Sequence, residues 1–167
     1  AEPGDVIAVT GVLGASAAGL AALRDPALAG TPGSEACITR HRRPQPRLDA
    51  GAQLAPLVHA MMDVSDGLAT DLPRLARRSG VTLDVDLDAL PVDPAAAAIA
   101  RATGSEPGAF AATGGEDYEL VVALPVASVG ACGVPLTVIG EVAAGPGEVR
   151  FRGAGADAAL RGWDHLR

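Results

Sequence analysis

A short apolar run that ends in an acidic turn constrains this chain more than any other feature. Residues 54–62 are apolar apart from Pro56 and His59, though Gln53 and Gly51 precede them, and Asp63-Val64-Ser65-Asp66-Gly67 follows. Beyond Gly67, Leu68, Leu72, Leu75 and Ala76 recur at i, i+4, i+7 and i+8, the spacing of one helix face. The pattern predicts a buried strand ending near Asp63, a turn, and a helix opening after Gly67. Two carboxylates and a hydroxyl then lie between a strand end and a helix start. Free backbone N–H groups and the helix dipole draw anions to such turns. Carboxylates placed there repel a phosphate unless a cation lies between them. Asp63 and Asp66 therefore read as an anchor for Mg²⁺, which is usually held by one or two carboxylates plus substrate phosphates. A plainer reading stands beside it: Ser65 or Asp66 is an N-cap eased by Gly67, a device worth roughly 0.5–2 kcal/mol. The two are compatible, since one carboxylate can cap while the other binds.

The totals narrow the field. A chain of 167 residues with 49% hydrophobic content is long enough for one domain with a substantial core. No apolar run approaches the ~20 residues of a membrane-spanning helix. Ala1-Glu2-Pro3-Gly4-Asp5 carries neither the basic nor the apolar region of a signal peptide. It also lacks an initiator Met, as a processed product or a fragment would. A net charge of −7, with one Trp, one Tyr and two Phe, argues against a nucleic-acid partner. All 13 basic residues are Arg, which excludes a Lys nucleophile and a P-loop lysine. Cys37 and Cys132 have no pairing or metal spacing and read as free thiols of a cytoplasmic protein.

In chain order, residues 5–10 read as a buried strand, followed by a glycine turn at Gly11 and Gly14 and an Ala/Leu helix to about Leu23. Gly11-x-x-Gly14 matches neither a dinucleotide fingerprint nor a P-loop, so close packing of strand on helix is its expected role. Residues 30–34 read as a polar loop. Residues 40–47 form the one basic cluster, which reads either as a site for a phosphate or an acidic neighbour, or as a solvated turn held extended by Pro44 and Pro46. A helix is expected over 48–57. Pro73 should kink the helix after Gly67 or delay its start, and Gly80 closes it. Residues 81–87 alternate as a half-buried strand with Asp84, Asp86 and Asp88 on the wet side. A calcium loop starting at Asp84 fails, because Ala89 and Ala95 stand where Gly and Glu are required. Asp93 is placed to cap a helix over 94–102. Thr113-Gly114-Gly115-Glu116-Asp117 is a second glycine-acid turn, feeding a strand over 118–124. A helix over 125–131, a strand over 136–139 and an edge strand over 148–152 complete an α+β pattern, a mixed sheet with helices packed on it.

Three stretches together resemble one family. Asp63-Val64-Ser65-Asp66-Gly67-Leu68, Gly114-Gly115-Glu116-Asp117-Tyr118-Glu119-Leu120 and Gly162-Trp163-Asp164-His165 are similar to the C-terminal domain of bacterial thiamine-monophosphate kinases, members of the aminoimidazole-ribonucleotide synthetase superfamily. The opening residues 4–11 and the Arg43-Pro44-Gln45-Pro46-Arg47 turn fit in the same order, so the resemblance covers essentially the whole chain. The Gly-Gly-Glu-Asp-Tyr-Glu-Leu run is its most specific element; the Asp-x-Ser-Asp-Gly turn is shared across the superfamily.

The resemblance implies ATP-dependent phosphorylation of thiamine monophosphate to thiamine diphosphate. By it, Asp63 and Asp66 match Mg²⁺ ligands, Ser65 matches a contact to the ATP phosphates, and Glu116 and Trp163 match contacts to the thiamine substrate. Phosphoryl transfer asks mainly for positioning and charge neutralisation, so no side-chain nucleophile is needed. The family's N-terminal domain, with most of its nucleotide contacts and its homodimer interface, has no match here. The chain then reads as one substrate-side domain, residues 1–167, inactive alone. Two other readings stand: a different superfamily synthetase (aminoimidazole-ribonucleotide or selenophosphate), and a binding module without catalysis. The Gly114–Leu120 run and Trp163 favour the kinase.

Overall fold

The computed structural model describes residues 1–156 and Leu160. Its strands are β1 (Asp5–Thr10), β2 (Ala60–Asp63), β3 (Val81–Asp86), β4 (Leu120–Pro125), β5 (Leu136–Ala144) and β6 (Val149–Arg152). Its helices are α1 (Ala15–Arg24), α2 (Pro26–Ala29), α3 (Ser34–Arg42), α4 (Leu48–Leu54), α5 (Leu68–Ser79), α6 (Pro94–Ala102) and α7 (Pro107–Thr113). The strands form one six-stranded sheet in the order β2-β4-β1-β5-β3-β6. Every pairing is antiparallel except β3 with β6, so the sheet is mixed and the α+β expectation holds.

The alternation of strand side chains sorts residues to the two faces of the sheet. Ile7 and Val9 of β1, Val121 and Ala123 of β4, and Val81, Leu83 and Val85 of β3 meet Leu68, Leu72, Leu75 and Ala76 of α5 and Ala111 and Ala112 of α7 in the main core. The intervening residues Ala8, Val122 and Leu124 pack on the opposite side with Leu54 and Cys132. A third cluster joins α1, α3 and α6 through Ala15, Ala18, Cys37, Ala96 and Ile99. Both cysteines are buried and free; burial, then the Asp93 carboxylate 3.7 Å away, pushes the Cys37 thiol up to about 12, so it is inert packing.

Several boundaries differ from the sequence expectation. β2 keeps only the last three residues of the apolar run, with Asp63 after them, and lies at the sheet edge, half-buried rather than buried. The preceding apolar residues are instead drawn into α4 and the turn after it. α5 opens at Leu68 and runs through Pro73 to Ser79. The fully buried Leu72 and the buried Leu75 flank the proline, and burying such side chains at roughly 1.5–3 kcal/mol each outweighs one missing helical hydrogen bond. α3 and α7 occupy stretches that carry little local apolar periodicity. The helix expected over 125–131 is reduced to a 3₁₀ turn, Val126–Ser128. Asp93 caps α6 as expected, accepting from the amides of Ala95 at 2.9 Å and Ala96 at 3.3 Å. No helix among the described residues is long and apolar enough to cross a membrane.

Candidate active site

The acidic turn is built differently from a simple cap. Gly67 is the residue before α5, at φ 93° and ψ 150°, and no side chain caps the helix. Asp71, one turn into α5 and fully buried, reaches back instead: its Oδ2 accepts from the Ser65 amide at 3.0 Å and the Asp66 amide at 2.9 Å. This corrects the expectation that Ser65 or Asp66 caps the helix. Both amides are taken. Arg74 then bridges the two acids, donating from Nη1 to Asp66 Oδ2 at 2.6 Å and to Asp71 Oδ1 at 2.8 Å. Burial raises the Asp71 carboxyl above its ordinary range, against the opposing pull of the Asp66 amide and Arg74.

The second motif lies directly against the first. The Glu116 amide donates to Ser65 O at 2.8 Å, the Tyr118 amide to Val64 O at 3.1 Å, and the Val64 amide to Glu119 O at 2.8 Å. This approach explains the glycines: a Cβ on Gly67 would fall 2.8 Å from Gly114 O, and one on Gly115 would fall 2.8 Å from Ser65 O. The run then alternates inward and outward. Asp117 is buried and caps the start of α1, accepting from Gly14 N at 2.6 Å and Ser16 N at 2.9 Å. Burial lifts its carboxyl to about 6 despite those two amides. Glu119 is wholly buried and accepts from Thr10 Oγ1 at 2.7 Å, Arg40 Nη2 at 3.0 Å, and Arg47 Nε and Nη2 at 2.8 and 2.6 Å. Burial alone would raise Glu119; the hydrogen bonds from Arg47, Thr10 and Arg40 outweigh it and hold the carboxyl low. The basic cluster at 40–47 is thus divided: Arg40 and Arg47 at its ends are committed to this buried acid, while residues 42–46 between them are exposed, as expected of the turn around Pro44 and Pro46.

Glu116, in contrast, is exposed. Its Oε2 lies 3.7 Å from His41 Nδ1, which is also 2.9 Å from Ser16 Oγ. These groups surround a cleft of about 640 Å³. One face of α1 (Ser16, Ala17, Leu20, Ala21 and Arg24) forms a wall, and His41, Ser65, Asp66, Thr113, Gly114, Gly115, Glu116 and Tyr118 complete the lining. The structure therefore brings Ser65, Asp66 and Glu116 together. Asp63 stands exposed at the end of β2, outside the lining, and Trp163 lies outside the described residues. Sequence reasoning missed Asp71, Arg74, Asp117, Glu119, Arg40, Arg47 and His41. Asp117 and Glu119 share the period-2 parity of the buried Val121 and Ala123, which is the signal that could have found them.

The donor set fits a hard cation in part. Asp63 and Asp66 offer carboxylate oxygens on one turn, whereas no group of three or more His, Cys, Asp or Glu that could hold a metal occurs among the described residues. A divalent ion here would need further oxygens from phosphate or water, which is how Mg²⁺ is commonly held.

Comparison with known proteins gives these features a lineage. Residues 2–152 match the family described as AIR synthase related protein, C-terminal domain. Over 176 residues the chain is 37% identical to a thiamine-monophosphate kinase of Salmonella typhimurium, covering 99% of this chain and 54% of that one. A thiamine-monophosphate kinase of Methanopyrus kandleri is 38% identical over 149 residues, 88% of this chain and 46% of the relative. A solved structure described as AaThiL complexed with AMPPCP and TMP superposes with a TM-score of 0.85 at 34% identity, over 99% of this chain and 52% of that one. Hydrogenase maturation protein HypE in complex with ATP shares the fold, with a TM-score of 0.65 at 21% identity. The chain spans about half the length of the curated relatives it matches. It belongs to the AIR synthase related family, as a C-terminal domain of that family.

Proposed function

We propose that this chain, residues 1–167, is the substrate-side domain of a cytoplasmic thiamine-phosphate kinase. In that reaction an oxygen of the thiamine monophosphate phosphate bonds to the γ-phosphorus of ATP. The bond from that phosphorus to the β-bridging oxygen breaks, ADP leaves, and thiamine diphosphate forms. The observation that carries the reading is the meeting of Ser65 and Asp66 with Glu116 in one cleft, though Asp66 and Glu116 stand 50 positions apart in the sequence. The kinase names of relatives matching 99% of the chain, and the ATP analogue and TMP named with AaThiL, support the choice of substrates.

Ser65 meets the ATP phosphates through its hydroxyl, since its amide is spent on Asp71. Asp63 and Asp66 would hold Mg²⁺, which would supply neutralisation of phosphate charge there. Arg74 holds the Asp66 carboxylate through the bond from its Nη1 to Oδ2. Glu116 accepts from the aminopyrimidine or balances the thiazolium of the substrate, with His41 and Ser16 steadying its carboxylate. Trp163 contacts the same substrate. On this reading an N-terminal domain supplies the remaining nucleotide contacts and the homodimer interface, and the chain alone is inactive.

The test separates metal binding from helix support. In the complete kinase, Asp63→Asn or Asp66→Asn is expected to lower kcat at least ~100-fold and to raise the Mg²⁺ concentration needed for half-maximal rate. A purely structural role predicts about 1 kcal/mol of lost stability with kcat intact. Unchanged turnover in both variants would overturn the assignment.

A further inference from the structure

Glu116 and Tyr118 are the two non-glycine residues with left-handed backbone among the described residues, at φ 65° and 52°. L-residues adopt that conformation only where their surroundings over-determine it, and such residues gather at ligand clamps. Here the constraint is on both sides. The amides of Glu116 and Tyr118 are held by Ser65 O and Val64 O, and the carboxylates of Asp117 and Glu119 are buried in their own networks. With the even pair of the run facing the cleft, its odd pair is locked inside.

Among the described residues, no hydrophobic cluster accounts for the place of Tyr118. It is half-buried and belongs to none of the hydrophobic clusters, yet it lines the cleft. Among the described residues it is the only Tyr, Phe or Trp that does so. Around it the lining is apolar along α1 at Ala17, Leu20 and Ala21, with Arg24 at the end of that wall, and acidic at Glu116 and Asp66, with His41 beside Glu116. An aromatic face, a small-residue wall and nearby carboxylates suit a flat group that is apolar on its faces and positively charged. Such a group is attracted to a phenol ring through its quadrupole as well as by stacking.

We infer that Tyr118 is the platform on which the cleft seats a cationic heteroaromatic ring, beside the charge-balancing carboxylate of Glu116. This rests on the kinase reading for the identity of the ring, the thiazolium of thiamine monophosphate. It makes Tyr118 a specificity-determining residue for the phosphoryl acceptor and leaves the nucleotide untouched.

In the complete kinase, Tyr118→Leu is expected to raise KM for thiamine monophosphate roughly ten-fold, the loss of one cation–aromatic contact. KM for ATP and the melting temperature should stay near wild type. Tyr118→Phe retains the ring and should keep KM within about two-fold of wild type, on the same contact. If Tyr118→Leu leaves KM for thiamine monophosphate unchanged in an active enzyme, the platform is overturned and the kinase reading stands. If Tyr118→Phe loses as much as Tyr118→Leu, the hydroxyl rather than the face matters and the platform is likewise overturned. If the wild-type kinase does not phosphorylate thiamine monophosphate, the kinase reading fails. Calorimetric titration with thiamine then judges the platform separately: tighter binding to wild type than to Tyr118→Leu supports it, and equal binding or none to either overturns it.

Discussion

Asp117 and Glu119 stand two residues apart, both buried, and their surroundings push them in opposite directions. Glu119 has hydrogen bonds from Arg47, Thr10 and Arg40 that outweigh its desolvation, so its carboxyl is held low; Asp117 is hydrogen-bonded by the Ser16 and Gly14 amides and feels Arg40 only through its charge, so burial wins and its carboxyl rises to about 6. The signs for stability are therefore opposite. The contribution of Glu119 is present above its ordinary value of 4.5 and is lost as pH falls through its lowered one. The contribution of Asp117 is complete below its ordinary value of 3.8 and is lost as pH rises through about 6. That upward shift corresponds to on the order of 3 kcal/mol. Wild type should therefore lose stability relative to Asp117→Asn between pH 4 and 7. Denaturant unfolding of both proteins across that range checks it, and parallel curves would show that Asp117 does not titrate there.

The turn into α5 concentrates its constraints in backbone rather than in a cap. Gly67 combines φ 93° with ψ 150°, a region that is essentially glycine-only and costs other residues about 1–3 kcal/mol. It also lies against the backbone carbonyls of Gly114 and Ala112, which are fixed by α7 and cannot swing aside as a side chain could. Gly67→Ala should thus cost more than the backbone alone, ~3 kcal/mol or above, and should part the two motifs. Urea unfolding gives the first quantity, and on the proposed kinase reading a raised KM for thiamine monophosphate in the complete kinase reports the second. A variant with wild-type stability would mean that the approach of residues 114–115 to this turn is not tight.

Glu119 ties the molecule together across its layers. It opens onto β4, accepts from Thr10 on β1, from Arg40 on α3, and from Arg47 just before α4. The two arginines are 34–39% exposed at their side chains, so the acid is buried and its partners are half in water. Such a pair is costly to break from one side only: Arg47→Met leaves a buried carboxylate with less compensation and should cost about 3 kcal/mol. Adding Glu119→Gln to Arg47→Met removes the orphaned charge and should restore part of that loss. A double-mutant cycle by denaturant unfolding measures the coupling, expected at 1 kcal/mol or more for groups in contact. Additive losses would show that the ion pair is solvent-screened and that the hub is held by packing alone.

Local rules were enough to read β1, α1, α6 with its Asp93 cap, the alternation of β3, the edge position of β6 and the α+β class. Each of these depends on periodicity, a cap or a turn acting within a few residues. The acidic turn and the Gly-Gly-Glu-Asp run were also legible as candidate site residues, because each gathers carboxylates and glycines at a junction between a helix and a strand. Their partners were not. Asp117 reaches Ser16 across 101 positions, Glu119 reaches Thr10 across 109 and Arg47 across 72. These contacts exist because β1 and β4 lie antiparallel at the centre of the sheet and α1 and α3 pack beside them. A basic cluster read in one dimension looks like a solvated face; only the folded chain brings a buried acid to it. The same holds for the turn at Asp66, where Asp71 arrives from the next helical turn and takes the amides of Ser65 and Asp66. The chain's own order carries short-range backbone preference, whereas pairing of buried charges depends on distances that arise only when distant segments are packed together.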